Sequence, residues 1–184
     1  NKSISTWDST SEISQFNRAA RSVKFKLPYF YFPLQVSKQV VSSSQGAYDP
    51  TVMPLVNLWG FGPDKFSDVP TATDIDSILV FVSQDLIEIE KNKIRKKDAR
   101  VQIDLSSIAK GYAVDKIIES LNYDNIFVEI GGEVRGKSNG KIWRVGINTP
   151  SIDNISNEIE YVASIKNASI ATSGNYRNFY IDIV

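Results

Sequence analysis

The 184-residue sequence contains no cysteine and no histidine. The first absence removes disulfides, thiolate nucleophiles and thiolate metal sites. The second removes the Ser-His-Asp triad, the imidazole metal ligand and the imidazole base. Chemistry within these residues must rest on carboxylates, hydroxyls, Lys, Tyr and backbone groups, with a hard cation such as Mg²⁺ compatible with oxygen donors. Net charge is also missing: 21 Lys plus Arg balance 21 Asp plus Glu, so no global field draws the chain to nucleic acid or an acidic membrane. No segment approaches the ~20 apolar residues that span a bilayer. No Gly-x-Gly-x-x-Gly separates a strand from a helix, which argues against a Rossmann dinucleotide site. No repeat or low-complexity linker divides the chain, and its length and 42% apolar content suit a single domain with its own core.

The run from Gly46 to Pro63 carries three Gly, three Pro, Tyr48, Trp59 and Phe61, with Asp49 as its one charge. Such a composition predicts neither an ordinary helix nor a strand. It suits either a wall on which a flat ligand stacks or an Ω-loop that plugs a core.

Around it, Ser9 with Glu12 reads as a capping box for a first helix over about 11–20. Pro28 and Pro33 interrupt the aromatic cluster Tyr29-Phe30-Tyr31-Phe32, and Leu34, Val36, Val40 and Val41 predict a second helix ending near Ser44. Thr73, Asp74 and Asp76 open a third helix whose first-turn acids complement its dipole. Alternation over 86–95 with a bend at Lys91-Asn92 reads as a hairpin, and Val101 and Ile103 as a short strand. The strongest helix runs from Ser107 to Leu121, with Ile108, Ala109, Tyr112, Ala113, Ile117 and Leu121 on one face. Strands follow at 125–130, 133–136, 141–148, 159–165, 168–172 and 177–184. Helices early and strands late predict an α+β fold with a largely antiparallel sheet flanked by helices.

Three places could carry chemistry. A strand delivers Asp104 to a helix start, which is a natural anion site. Lys110 lies near that start, where a cation opposes the dipole unless it faces an anion or a carboxylate. Alternatively, Asp104 ties down the turn and Lys110 points into water. Gly131-Gly132-Glu133 reads as a hairpin turn or as a close backbone approach to a ligand, and Ala171-Thr172-Ser173-Gly174-Asn175-Tyr176 as a pocket lining or a corner. Trp7 is a stacking surface or a core anchor, and Lys91, Lys93, Arg95, Lys96 and Lys97 form a basic cluster that a solvated face explains. An acid pair such as Asp49 and Asp104 also leaves open a carboxylate-based hydrolase acting on sugars.

Taken in order, Ser5-Thr6-Trp7, Ser11–Asn17, Gly46–Pro63, Asp104–Asp115, Glu129–Gly136, Trp143–Ile147 and Ala171–Tyr176 resemble the ApbE-type FAD:protein FMN transferases, or flavin-trafficking lipoproteins. The resemblance implies a T-fold-related α+β domain over 1–184. It lacks the family's earlier Met-Gly-Thr-like strand and its later His-x-Ile-Asp-Pro-like and acidic metal-binding segments. It implies FAD as substrate and a bridging Mg²⁺. FMN would pass to a Thr or Ser hydroxyl of an acceptor flavoprotein with release of AMP. FAD contacts are expected at Trp7, where an aromatic, often Tyr, is usual, and at Ala47, Tyr48, Asp49, Asp104 and Lys110. The Ser107 carbonyl is expected to meet the metal, and no residue is assigned as catalytic. Other readings are FAD hydrolysis to FMN and AMP, or a flavin carrier without turnover. The family further implies an extracytoplasmic, periplasmic or cell-surface location in a bacterium, with a lipidated Cys upstream of Asn1 where there is an anchor.

Overall fold

Residues 1–64, 69–150 and 158–174 are described by the computed structural model. They form two units, Asn1–Ala109 and Lys110–Val184. The expected strand at 177–184, with Asn175 and Tyr176, lies outside the described residues.

In the first unit, helix α1 (Glu12–Arg18) is capped by Ser11, whose hydroxyl accepts from the Ser14 N–H at 3.1 Å. The expected cap at Ser9 is therefore displaced by two residues. Glu12 is 8% exposed, and its carboxylate accepts from the Ser3 hydroxyl and from the N–H groups of Lys26 and Leu27. A buried carboxylate is satisfied better by those three donors than by one cap amide.

Helix α2 (Pro28–Ser43) starts earlier than expected and contains Pro33. Pro28 sits in the first turn, where a missing N–H costs nothing. Phe30, Pro33, Leu34 and Ser37 form one buried stripe, so packing overrides the local penalty at Pro33. The segment expected to be irregular holds a short helix, α3 (Met53–Leu58), with Pro54 in its first turn. Helix α4 (Ala72–Leu79) is opened by a Thr71/Asp74 capping box, two residues before the expected Thr73, and none of its residues is buried.

Strands β1 (Ser22–Lys24), β2 (Ile87–Glu90) and β3 (Lys93–Lys96) pair antiparallel in the order β1-β3-β2, with Ile89 opposite Ile94. The expected strand at 101–103 is reduced to a single parallel bridge between Val52 and Gln102. Its side chains are nonetheless central: Val101, Ile103 and Leu105 are buried with Ile13, Phe16, Phe25, Phe30, Leu34, Ile87 and Ile94.

Two side chains hold that segment. The Asn17 amide donates to the Ile103 carbonyl at 2.9 Å and accepts from the Ile103 N–H at 2.8 Å. Lys96, 3% exposed, donates to the carbonyls of Asn17, Ala99 and Val101 at 3.2, 2.9 and 2.9 Å and lies 5.0 Å from the Phe16 ring centre. The basic cluster is thus not one solvated face. Strand alternation turns Lys96 inward with Ile94, while Lys93 and Arg95 face outward.

Helix α5 (Ser106–Ser120) runs across the division between the units. Its buried residues are Val114 and Ile118, whereas Ile117 and Leu121 of the expected apolar face are more than a third exposed. In the second unit β4 (Asn125–Ile130), β5 (Glu133–Ser138) and β8 (Ala168–Ile170) form one antiparallel sheet, and β6 (Trp143–Asn148) and β7 (Ile159–Ile165) another. Gly136 keeps the β5 surface flat, because a Cβ there would stand 2.8 Å from Trp143 Cδ1. All strand pairings among the described residues are antiparallel, and the α+β expectation holds. No helix among the described residues is long and apolar enough to cross a membrane.

Burial pushes the Lys96 ammonium down from its ordinary 10.5 to about 8, against the opposing pull of Asp98. Between those two values the unfolded chain binds the proton that the folded chain has released, so folding stability rises with pH across that window. In urea titrations at pH 7 and at about pH 10, the wild type is expected to gain stability relative to Lys96→Met at the higher pH. A pH-independent difference would show that Lys96 keeps its proton.

Candidate functional site

In the first unit the proline-rich loop is pinned directly to the segment that delivers Asp104. The Asp104 N–H donates to the Pro50 carbonyl at 2.8 Å, one step from the Val52–Gln102 bridge. The Ser107 hydroxyl, at the start of α5, donates to the Tyr48 phenol oxygen at 3.3 Å. The two most informative stretches of the sequence therefore meet, bringing Tyr48, Asp49, Asp104 and Ser107 into one cluster.

The carboxylates of this cluster are engaged locally. Asp49 accepts from the Thr51 N–H and hydroxyl with one oxygen and from the Gln84 N–H, at 2.9 Å, with the other. Asp104 accepts from the Ser106 N–H at 2.8 Å and from its hydroxyl at 2.7 Å. Tying down the turn is thus an observed role for Asp104. Burial pushes the Tyr48 phenol above its ordinary value; the Ser107 hydrogen bond opposes this, and the charges of Asp104 and Asp49 add to it. Tyr48 therefore stays protonated at neutral pH. Its hydroxyl accepts from Ser107 and keeps its own proton to donate, beside the positive end of a helix dipole.

The rest of the loop is shaped by close packing. A Cβ on Gly62 would fall 1.9 Å from the Asn57 amide oxygen, so any larger residue there would displace that buried amide. Buried Asn57 in turn donates to Asp64 at 3.0 Å and to Gln102 at 3.3 Å, a second tie between the loop and the segment before Asp104. Ala47 is exposed and follows Gln45 and Gly46, whose φ values of 53° and 84° turn the chain out of α2. Trp7 is 69% exposed, on a turn in which Asp8 accepts from the Thr10 N–H and hydroxyl. It is a presented aromatic face rather than a core anchor, and it takes no part in the hydrogen bonds that gather Tyr48, Asp49, Asp104 and Ser107.

In the second unit, Lys110 faces a carboxylate while remaining partly open to solvent. Its ammonium lies 2.8 Å from Glu133 Oε2 and donates to the Gly131 carbonyl at 3.2 Å. Gly131 and Gly132, at φ of 56° and 93°, make the hairpin turn between β4 and β5. A Cβ on Gly131 would stand 3.3 Å from Lys110 Cδ, so the turn also seats the lysine stem. Thr172 closes the other side, its hydroxyl donating to the Gly132 carbonyl at 3.4 Å. Glu133 and Thr172 were legible only as parts of turns; the signal for Glu133 was an acid following a Gly-Gly pair. Among the described residues no group of three or more His, Cys, Asp or Glu side chains gathers to hold a metal. These residues alone do not make a Mg²⁺ cage, and no chemical step is assigned to one.

The chain is similar to several known proteins. The chain is 37% identical over 190 residues to the FAD:protein FMN transferase of Vibrio cholerae and 36% identical over 196 residues to that of Haemophilus influenzae. Each alignment covers 98% of this chain and 56% of the relative, so the chain spans a little over half the length of these relatives. Among solved structures, the flavin transferase ApbE from Vibrio cholerae superposes with a TM-score of 0.83 at 34% identity, over 100% of this chain and 62% of that one. The ApbE protein from Thermotoga maritima superposes with a TM-score of 0.84 at 27% identity, over 99% of this chain and 60% of that one. With the ApbE family matched over residues 1–184, the chain belongs to the ApbE family.

Proposed function

We propose that the full-length protein transfers FMN from FAD to a Thr or Ser hydroxyl of an acceptor flavoprotein, releasing AMP. The acceptor oxygen bonds to the flavin-side phosphorus, the phosphoanhydride bond breaks, AMP departs, and the acceptor hydroxyl gives up its proton. Family membership supports this reading, and the observation that carries it is the Tyr48–Ser107 contact joining the aromatic loop to the start of α5.

FAD contacts are assigned to Trp7, Ala47, Tyr48, Asp49, Asp104 and Lys110. The exposed indole of Trp7 offers a stacking face. Tyr48 offers a protonated phenol, and Lys110 a cation for a pyrophosphate. Asp49 and Asp104 meet FAD from fixed positions, because their carboxylates are held by Thr51, Gln84 and Ser106. Phosphoryl transfer of this kind depends on positioning and charge neutralisation more than on a covalent catalyst. We further propose a Mg²⁺ requirement, with the Ser107 carbonyl as this chain's oxygen donor; the ion would neutralise phosphate charge when bound. No catalytic residue is assigned among the described residues. An extracytoplasmic location is proposed on the family resemblance, with membrane attachment only through an upstream lipid anchor where one is present.

Mixing the full-length protein with FAD, Mg²⁺ and an acceptor domain is expected to raise the acceptor's mass by one FMN and to release an equal amount of AMP, both stopping when EDTA is added. AMP release without the mass change would instead identify a pyrophosphatase. Asp104→Ala and Lys110→Ala are each expected to weaken FAD binding about tenfold, read by flavin fluorescence quenching; unchanged affinity in a folded variant would remove that residue from the FAD site. Fractionation of the native host is expected to place the protein outside the cytoplasm; recovery in the cytosol would refute that part of the proposal.

A further inference from the structure

Lys110 is a flexible side chain with a four-carbon stem, yet it is held at several points. Gly131 gives it a seat with no Cβ, the Gly131 carbonyl takes one of its protons, and Glu133 stands 2.8 Å from the ammonium. Glu133 is itself fixed. Its side chain is 16% exposed at the first position of β5, directly after two glycines in left-handed conformation. Its Oε2 is buried and has no aligned hydrogen-bond donor, so the ammonium charge is what compensates it. The lysine side chain remains 45% exposed, and an ammonium carries three protons. One proton goes to Gly131, the charge is shared with Glu133, and a face of the ammonium still opens to solvent.

From this geometry we infer that Glu133 is a positioning residue for Lys110: it orders the lysine in advance, so that the open face of the ammonium is presented to the FAD pyrophosphate. The inference rests on the functional reading above and deepens it. Ordering a rotamer-rich side chain before binding removes an entropy cost that binding would otherwise carry. The alternative is that Glu133 merely competes with the ligand for the cation, and the two roles have opposite signs. A competitor, once neutralised, lets FAD bind more tightly. A positioning group, once neutralised, lets the lysine wander and FAD bind less tightly, even though a negative charge has been removed.

The discriminating substitution is Glu133→Gln, which keeps the shape and one acceptor oxygen and removes the charge. FAD affinity is measured on full-length protein by fluorescence quenching at low ionic strength, with folding checked by thermal melting. Glu133→Gln is expected to weaken binding about three- to fivefold, the scale of a partly exposed ion pair. In a Lys110→Ala background the same substitution is expected to change affinity by less than about twofold, because its effect runs through the lysine. Tighter or unchanged binding in Glu133→Gln overturns the assignment, as does an equal loss in the Lys110→Ala background. If the wild type binds no FAD, the functional reading falls and this one with it; a failure confined to the Glu133 variants leaves the functional reading standing.

Discussion

A single asparagine amide governs how this chain presents its chemistry. Asn17, at the end of α1, makes both of the hydrogen bonds that a neighbouring strand would make to Ile103. The segment 101–103 has almost no sheet of its own, so its backbone would otherwise lie buried and unpaired, at a cost of roughly 1–3 kcal/mol per group. Lys96 completes the substitution from the other side, with its ammonium on the carbonyls of Asn17, Ala99 and Val101. Side chains thus do the work of a missing sheet, and Asp104 is placed by them. Because the apolar residues Val101, Ile103 and Leu105 are themselves fully buried, the polar ties and the core constrain the same few residues.

The polar groups around Asp104 form a graded system. Asp49 and Asp104 spend both oxygens on nearby backbone and hydroxyl donors, so they act as rigid corners. Tyr48, lifted above its ordinary pKa by burial, keeps a proton available. In the second unit the arrangement is reversed, with a mobile cation held by a fixed acid and a glycine turn.

The sequence made most of the β structure legible. The 87–96 hairpin and the strands between 125 and 170 follow from alternation and from glycine turns, which are local signals. The helices were less legible wherever tertiary burial outranked local rules. Pro33 looks like a break until Phe30 and Leu34 are seen to share a buried stripe with it, and Met53–Leu58 is hidden by the prolines around it. Glu12 and Lys96 show the same effect for charges. Each has the residue type of a solvated surface, and each is buried because backbone groups of other segments satisfy it, Lys26 and Leu27 for Glu12 and Asn17, Ala99 and Val101 for Lys96. Family-level motifs made Tyr48, Asp104 and Lys110 recognisable, whereas the partner of Lys110 emerged only once β5 was seen to fold Glu133 back toward α5.

Helix α4 stands at the opposite pole from this dense centre. Its Thr71/Asp74 box satisfies its own amino end, and not one of its side chains is buried. A helix with no buried side chain contributes little to cooperative unfolding, and it can open while the core around Ile103 stays shut. Native-state amide exchange would therefore register 72–79 as an independent low-energy foldon, leaving that stretch of chain open to evolutionary drift and insertion without loss of the architecture beneath it.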